Sequence, residues 1–93
     1  MLFYLVAYDI PCDKRRRKVA ELLLGYGKRV QYSVFECVLS SKKYDELCKR
    51  LRKRIKEEED NIRFYPVSRH TLSRVQVWGQ GPSLTQASGS IIV

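Results

Sequence analysis

One carboxylate in this sequence stands where proteins often place a reactive or metal-binding group. Asp9 ends the apolar run of residues 2–8, and Pro11 follows it in a turn before a helix-like segment. A side chain at the carboxyl end of a strand, beside the start of a helix, is well placed to meet a substrate. The alternative is that Asp9 only caps the turn. The nearest second acid is Asp13, whose position is typical of a helix N-cap.

Asp9 alone is a small ligand set for a divalent metal ion. Mg²⁺ is usually held by one or two carboxylates, while waters and phosphate oxygens complete its coordination shell. A two-fold axis that brought two copies of Asp9 together would provide two carboxylates. A metal site at Asp9 therefore depends on the chain forming a dimer.

Five consecutive basic residues open the predicted first helix. They are Lys14, Arg15, Arg16, Arg17 and Lys18. Cations at a helix N-terminus oppose the helix dipole, so helix stability does not explain them. Together with the free N–H groups of the first helical turn they favour a phosphate backbone. The alternative is a basic face that is only solvated.

Other kinds of site find little support. His70 is the only histidine, and no Ser or Cys pairs with it at a recognisable spacing. The three cysteines, Cys12, Cys37 and Cys48, are odd in number and lack a C-x-x-C spacing, which disfavours zinc and disulfides. Four aromatic side chains are candidates for stacking on bases, although most aromatics in so short a chain belong to the core. These four are Tyr4, Tyr8, Phe35 and Tyr65.

Composition points to one small domain that binds polyanions. The chain has 93 residues, with 18 Lys+Arg against 10 Asp+Glu and a net charge of +8. This charge favours DNA, RNA or an anionic surface as the partner. The apolar N-terminus is too short to span a membrane, and free thiols are usual in the cytosol. We therefore expect a cytoplasmic protein with no membrane partner.

Two amphipathic helices are predicted. The first covers residues 14–26 and the second runs from Ser40 or Ser41 to about Glu58. The apolar stripe of the first helix is Val19, Leu22, Leu23 and Tyr26. That of the second is Tyr44, Leu47, Cys48, Leu51 and Ile55.

Strands are predicted at residues 2–8, 29–39, 61–67 and 75–79. The second region is long for one strand, and a bulge or kink near Ser33 would divide it. The element order is then β-α-β-β-α-β, or β-α-β-α-β-β if the region stays whole. Residues 1–79 would form the folded domain, and the Gly- and Ser-rich residues 80–93 a flexible tail.

Both element orders give an α+β two-layer sandwich, and its sheet is predicted to be apolar on both faces. Each helix has one apolar stripe, so both helices should cover the same sheet face. Yet both alternating sets of side chains in residues 2–8 are apolar. The second apolar face needs a cover, which a symmetric partner chain supplies most simply.

Three segments carry a resemblance to a known family. They are the strand end Tyr8-Asp9-Ile10, the helix segment that begins Arg16-Arg17-Lys18, and the stretch Gln31-Tyr32-Ser33-Val34-Phe35. In this order and spacing they resemble the second universal CRISPR-associated protein family, "Cas-two", over residues 2–78. The resemblance implies a ferredoxin-like βαββαβ fold and a homodimer, in which an extra C-terminal strand (residues 75–79) joins the sheet of the partner.

The resemblance also implies an activity and its residues. Family members are described as metal-dependent endonucleases that cut single-stranded RNA or double-stranded DNA, and as bridges between copies of the CRISPR integrase during spacer acquisition. Asp9 corresponds to the ligand of Mg²⁺ or Mn²⁺. Positions tied to activity are Tyr8, Arg16, Arg29, Ser33 and Phe35, and Arg29 joins the basic run as a nucleic-acid contact. Lys18 stands where some members carry arginine, so bidentate phosphate contact is lost there. A non-catalytic DNA-binding adaptor is the alternative function.

Overall fold

The computed structural model describes residues 1–86 of the chain. Four strands form one antiparallel sheet in the order β2-β3-β1-β4, and two helices cover it. The elements are β1 (Leu2–Asp9), α1 (Asp13–Leu24), β2 (Lys28–Gln31), β3 (Val34–Leu39), α2 (Ser41–Arg52), β4 (Asn61–Val67) and the short α3 (Arg69–Leu72). The α+β class and the βαββαβ order are confirmed.

A turn divides the long second strand region. β2 ends at Gln31 and β3 begins at Val34, with Tyr32 and Ser33 in the turn between them. The pairing of the two strands shifts register between Arg29 and Gln31, which is the irregularity expected near this point. The turn decides between the two topologies that the sequence left open.

The core lies between the helices and one face of the sheet. Alternation along β1 turns Tyr4, Val6 and Tyr8 toward the helices. Tyr4 stacks on Tyr44 of α2 with ring centroids 4.4 Å apart. The other buried members of this core include Val19, Leu22 and Leu23 of α1, Phe35 and Cys37 of β3, and Leu47 and Leu51 of α2. Both helices therefore lie on the same sheet face, as predicted.

The opposite sheet face is covered only in part. Phe3 of β1 is buried where α3 places Leu72 beside it. Farther along the same face, Leu5 and Ala7 are only half-buried. The backbone N–H of Thr85 reaches this face and donates to the carboxylate of Glu36 over 2.8 Å. We call this face, which the two long helices do not cover, the open face.

Three predicted boundaries were wrong. The N-cap of α1 is Cys12, whereas Asp13 is the first helical residue. α1 ends at Leu24 because Gly25 and the two residues after it turn the chain back toward β2. α2 ends at Arg52, not near Glu58, because the acidic residues after it build a turn in which Asp60 accepts the Lys56 N–H.

The predicted last strand is not formed within the single chain. Residues 73–86, the final part that the structure describes, contain no strand. Val75 and Val77 are exposed, and Trp78 is 86% exposed. A strand needs a neighbour for its backbone hydrogen bonds, and residues 1–86 supply none for this segment. The boundary of the tail at Gly79 stays a prediction, and residues 87–93 of that tail lie outside the described residues.

Candidate metal and nucleic-acid site

The side chains of two consecutive residues at the end of β1 lie on opposite faces of the sheet. Tyr8 is 5% exposed and belongs to the core beneath the helices. Asp9 is exposed and, by strand alternation, lies on the open face with Ala7. The predicted metal ligand Asp9 and the residues around Tyr8 therefore lie on opposite faces of the sheet.

Asp9 has an amide side chain beside it on the neighbouring strand. Its partner on β4 is Asn61, whose amide oxygen accepts from the Arg63 guanidinium over 3.1 Å. Within residues 1–86, no group of three His, Cys, Asp or Glu side chains is placed to hold a metal ion. An exposed carboxylate suits a hard divalent cation, but a single carboxylate is a small ligand set for Mg²⁺. Asp9 therefore fits a metal shared between two chains better than a metal held by one.

Four of the predicted site residues meet on the helix side. Tyr8, Arg16 and Arg29 line one cleft of about 470 Å³ between α1 and the β2–β3 turn. Phe35 lies beneath it, with its ring 6.2 Å from that of Tyr8 and 5.3 Å from the Arg29 guanidinium. Ser33 joins this cluster through its backbone, because its carbonyl accepts the Tyr8 N–H over 3.1 Å. Its hydroxyl has no part in that contact.

Arg16 is held in place by the turn before α1. Its guanidinium donates to the Ile10 carbonyl over 2.9 Å and pairs with the Asp13 carboxylate. An arginine side chain stays cationic in proteins, and the bond to Asp13 raises the pKa of Arg16 further. A fixed cation at the mouth of a cleft is ready to meet a phosphate without further ordering.

Arg15 has a structural role that the sequence did not reveal. It binds both oxygens of Asp60, at 2.8 and 3.0 Å, and the Glu59 carboxylate at 2.9 Å. The Asp60 side chain is fully buried. The contact joins the start of α1 to the turn before β4. The nucleic-acid role predicted for Arg15 stays a prediction, but its charge is already paired with acids.

The basic charge is concentrated in the helix layer. Lys14, Arg17 and Lys18 of α1 are exposed. Residues 13–24 and 41–56 together hold thirteen basic and four acidic residues, a net charge of +9, so the rest of the chain sums to −1. A positive potential on one side of a small domain is the expected footprint of polyanion binding. Asp9 lies at the end of β1 on the opposite face of the sheet.

Two features of the site were missed from sequence. Tyr32 stands on the β2–β3 turn at the edge of the cleft and is 75% exposed. Its place in the motif gave no indication of its exposure, since a strand was predicted there. The second is the pairing of Glu59 and Asp60, two acids that directly follow the predicted end of the second helix. Their partner lies more than forty residues away, which local patterns do not reveal.

Comparison with known proteins gives a consistent result. The family model described as "CRISPR associated protein Cas2" matches residues 1–75. A protein from Synechocystis sp., named CRISPR-associated endoribonuclease Cas2 3, is 61% identical over 93 residues and covers both chains completely. A protein from Thermus thermophilus, named CRISPR-associated endonuclease Cas2 2, is 48% identical over 79 residues, 85% of this chain and 83% of its own.

Solved structures agree with the sequence comparison. Streptococcus pyogenes Cas2 superimposes with a TM-score of 0.74 at 39% identity, over 83% of this chain and 99% of its own. A chain of a partial Cas6-RT-Cas1–Cas2 complex gives a TM-score of 0.75 at 37% identity, over 83% and 90% of the two chains. No helix within residues 1–86 is long and apolar enough to cross a membrane. The family model, the relatives and the shared fold agree that this chain belongs to the Cas2 family of CRISPR-associated proteins.

Proposed function

We propose that the protein is a metal-dependent endonuclease of CRISPR adaptation, which hydrolyses phosphodiester bonds of single-stranded RNA or double-stranded DNA as a homodimer. The position of Asp9 carries this proposal: an exposed carboxylate at a strand end, on the sheet face that the helices leave open. The names of the relatives, endoribonuclease and endonuclease, give the reaction class.

The dimer is supported by the open face and by the unpaired segment after α3. Leu5 and Ala7 leave apolar surface on that face, and β4 is an edge strand of the sheet. Residues 75–79, with Val75, Val77 and Trp78 exposed, have the composition of a strand without a neighbour. Addition of this segment to the β4 edge of a second copy would give backbone hydrogen-bond partners to the segment and to the edge strand. Two open faces would then bring two Asp9 residues together.

Mg²⁺ or Mn²⁺ is the proposed cofactor, held by Asp9 of each subunit. When bound, the ion polarises a phosphate oxygen and lowers the pKa of a coordinated water. Arg16 and Arg29 lie in the cleft on the helix side of the sheet end. We therefore assign them to phosphates beside the scissile bond, where they neutralise charge and fix the strand. Tyr8, Ser33 and Phe35 hold Arg29 and the β2–β3 turn in place.

Partners and location follow from the same comparisons and from the thiols. A chain of similar fold occurs in a complex with Cas1, so the CRISPR integrase is the proposed protein partner. All three cysteines are free, and burial raises the pKa of Cys37 to about 11. Free thiols of this kind are usual in the reducing cytoplasm, the proposed location.

Cleavage assays test the enzymatic proposal. Labelled single-stranded RNA and double-stranded DNA are incubated with the wild type, Asp9→Asn and Asp45→Asn, each with Mg²⁺, Mn²⁺ or EDTA. Asp45 is an exposed acid on α2 and provides the matched acid-to-amide control. Cutting should require metal and Asp9 but not Asp45. Undiminished cutting by Asp9→Asn would overturn the proposal.

A DNA-binding adaptor that bridges integrase dimers is the second candidate. The concentration of +9 net charge in the helix layer favours it, because this surface binds polyanions whether or not Asp9 acts. The adaptor needs duplex binding and integrase binding but no cutting. Full spacer acquisition by Asp9→Asn, together with loss of cleavage, would support the adaptor over the nuclease.

A further inference from the structure

The cleft between α1 and the β2–β3 turn has the size and lining of a nucleotide site. Its volume of about 470 Å³ lies within the range of small-ligand pockets. Its lining includes the apolar side chains of Ala20 and Leu24 and the ring of Tyr8, together with the cations Arg16, Arg17 and Arg29. A cleft lined by both apolar side chains and cations suits a flat base that carries a phosphate.

Tyr32 is an aromatic side chain of this cleft on which the fold depends little. Its ring is 75% exposed on a two-residue turn, so little packing stability depends on it. Its hydroxyl lies beside Arg16, where it contributes to the raised pKa of that guanidinium. An exposed aromatic ring beside fixed arginines is the arrangement that proteins use to stack an unpaired base.

Two cations of the cleft remain available for a ligand. Among residues 1–86, neither Arg17 nor Arg29 makes a hydrogen bond or ion pair through its side chain. The acids that line the cleft are Asp13, which Arg16 engages, and Glu21. Three arginines against two acids leave the cleft net positive. The free guanidinium groups match the bidentate geometry of a phosphate.

We propose that this cleft binds one unpaired nucleotide of a single-stranded nucleic acid, whose base stacks on Tyr32 and whose phosphate is held by Arg17 and Arg29. The proposal rests on the proposed function, since it names the form of substrate that reaches the same sheet end as Asp9. It differs from the basic helix surface in requiring a base that is not paired. A duplex cannot offer such a base without opening.

Base-stacking fluorescence tests the cleft without any chemistry. A single-stranded oligonucleotide that contains 2-aminopurine, in RNA and DNA versions, is titrated with protein in EDTA. Binding to the wild type should quench the fluorescence. Tyr32→Phe should retain the quenching and affinity, whereas Tyr32→Leu, which keeps apolar bulk without a π face, should weaken binding about tenfold to a hundredfold. Affinity for a blunt duplex of the same sequence should not change.

The outcomes separate this inference from the nuclease proposal. Equal single-strand binding by Tyr32→Leu and Tyr32→Phe would overturn it, as would a parallel loss of duplex affinity. Arg17→Gln should also weaken binding of the single strand, and an unchanged affinity would overturn the phosphate assignment.

Because EDTA removes the metal, a negative result in this binding assay leaves the proposal of Asp9-dependent cleavage untouched. Failure of cleavage likewise leaves the stacking result standing. The RNA and DNA versions report which strand the cleft prefers.

Discussion

Tyr8 and Asp9 are adjacent in β1, yet Tyr8 lies on the helix-covered face of the sheet and Asp9 on the open face. Tyr8 therefore belongs to a cleft that contains Arg16 and Arg29, while Asp9 has Asn61 beside it. Under the proposed function, binding and chemistry would therefore lie on different faces of the sheet at the end of one strand. A nucleic acid that uses both must pass around that end.

The contact between Arg15 and Asp60 should be needed for stability. Asp60→Asn removes the negative charge and replaces one of the two accepting oxygens with an NH₂ group, which then faces an N–H donor of the Arg15 guanidinium in a buried position. We expect the melting temperature to fall by about 5–10 °C. Thermal unfolding followed by circular dichroism measures this. Asp45→Asn, at an exposed position, should leave the melting temperature unchanged, and an equal fall in both variants would contradict the assignment.

The same contact should have a definite pH dependence. The hydrogen bond from Arg15 holds the pKa of Asp60 below its ordinary value of 3.8. A carboxyl whose pKa is lowered on folding contributes stability above its unfolded pKa and loses it as the pH falls through the folded pKa. The difference in melting temperature between wild type and Asp60→Asn should therefore be full at about pH 5 and should shrink toward about pH 2. A difference that stays constant over this range would refute the role of the charge.

A glycine at position 27 should be required for the close pairing of β2 with β3. A Cβ atom at this position would lie 2.4 Å from both the Cys37 Sγ and the Glu36 carbonyl oxygen. Gly27→Ala must push the two strands apart, at a cost of about 2 kcal/mol in the free energy of unfolding. At Gly25 the nearest atom is the Leu22 carbonyl oxygen at 3.4 Å. Urea denaturation should therefore find Gly25→Ala as stable as the wild type, and equal losses in the two variants would contradict the model of close strand contact.

Binding to duplex DNA should depend on the groove between the two helices. Lys18 of α1 and Lys53 after α2 line a surface cavity there, together with Arg50 and Arg54. If each lysine contacts one phosphate, the double variant Lys18→Gln/Lys53→Gln should reduce the slope of log affinity against log salt by about 2. The control Arg69→Gln/Arg74→Gln removes the same charge from α3 and the residues after it, beside the open face. Equal slopes for both double variants would mean that only net charge matters.

The regular part of the fold could be predicted from periodicity. Leu22 and Leu23 of α1 and Leu47 and Leu51 of α2 are buried as their spacing indicates. The end of α2 could not be predicted, because the acidic turn after it depends on Arg15, far away in sequence. The segment at residues 75–79 has the composition of a strand but pairs with no other strand in the described part of the chain. Local patterns predict what a segment favours, whereas pairing decides whether a strand forms.

The site could be predicted as a set of residues but not as an arrangement. The resemblance named Tyr8, Arg16, Arg29 and Phe35 as positions tied to activity, and the structure places these side chains close together. The resemblance also grouped Asp9 with them, although strand parity turns that carboxylate to the other face. The exposure of Tyr32 depends on a turn whose place was known only approximately. Only the three-dimensional structure shows that Asp9 and the cluster around Tyr8 lie on different faces of the sheet.

The separation of binding from chemistry is tested most directly on Asp9→Asn with one labelled single-stranded RNA. The dissociation constant is measured in EDTA, and the single-turnover cleavage rate is measured in Mg²⁺ with saturating protein. We predict an unchanged dissociation constant and a rate that falls by about a hundredfold or more. A rate that survives, or an affinity that weakens in step with the rate, would contradict the assignment of Asp9 to chemistry alone.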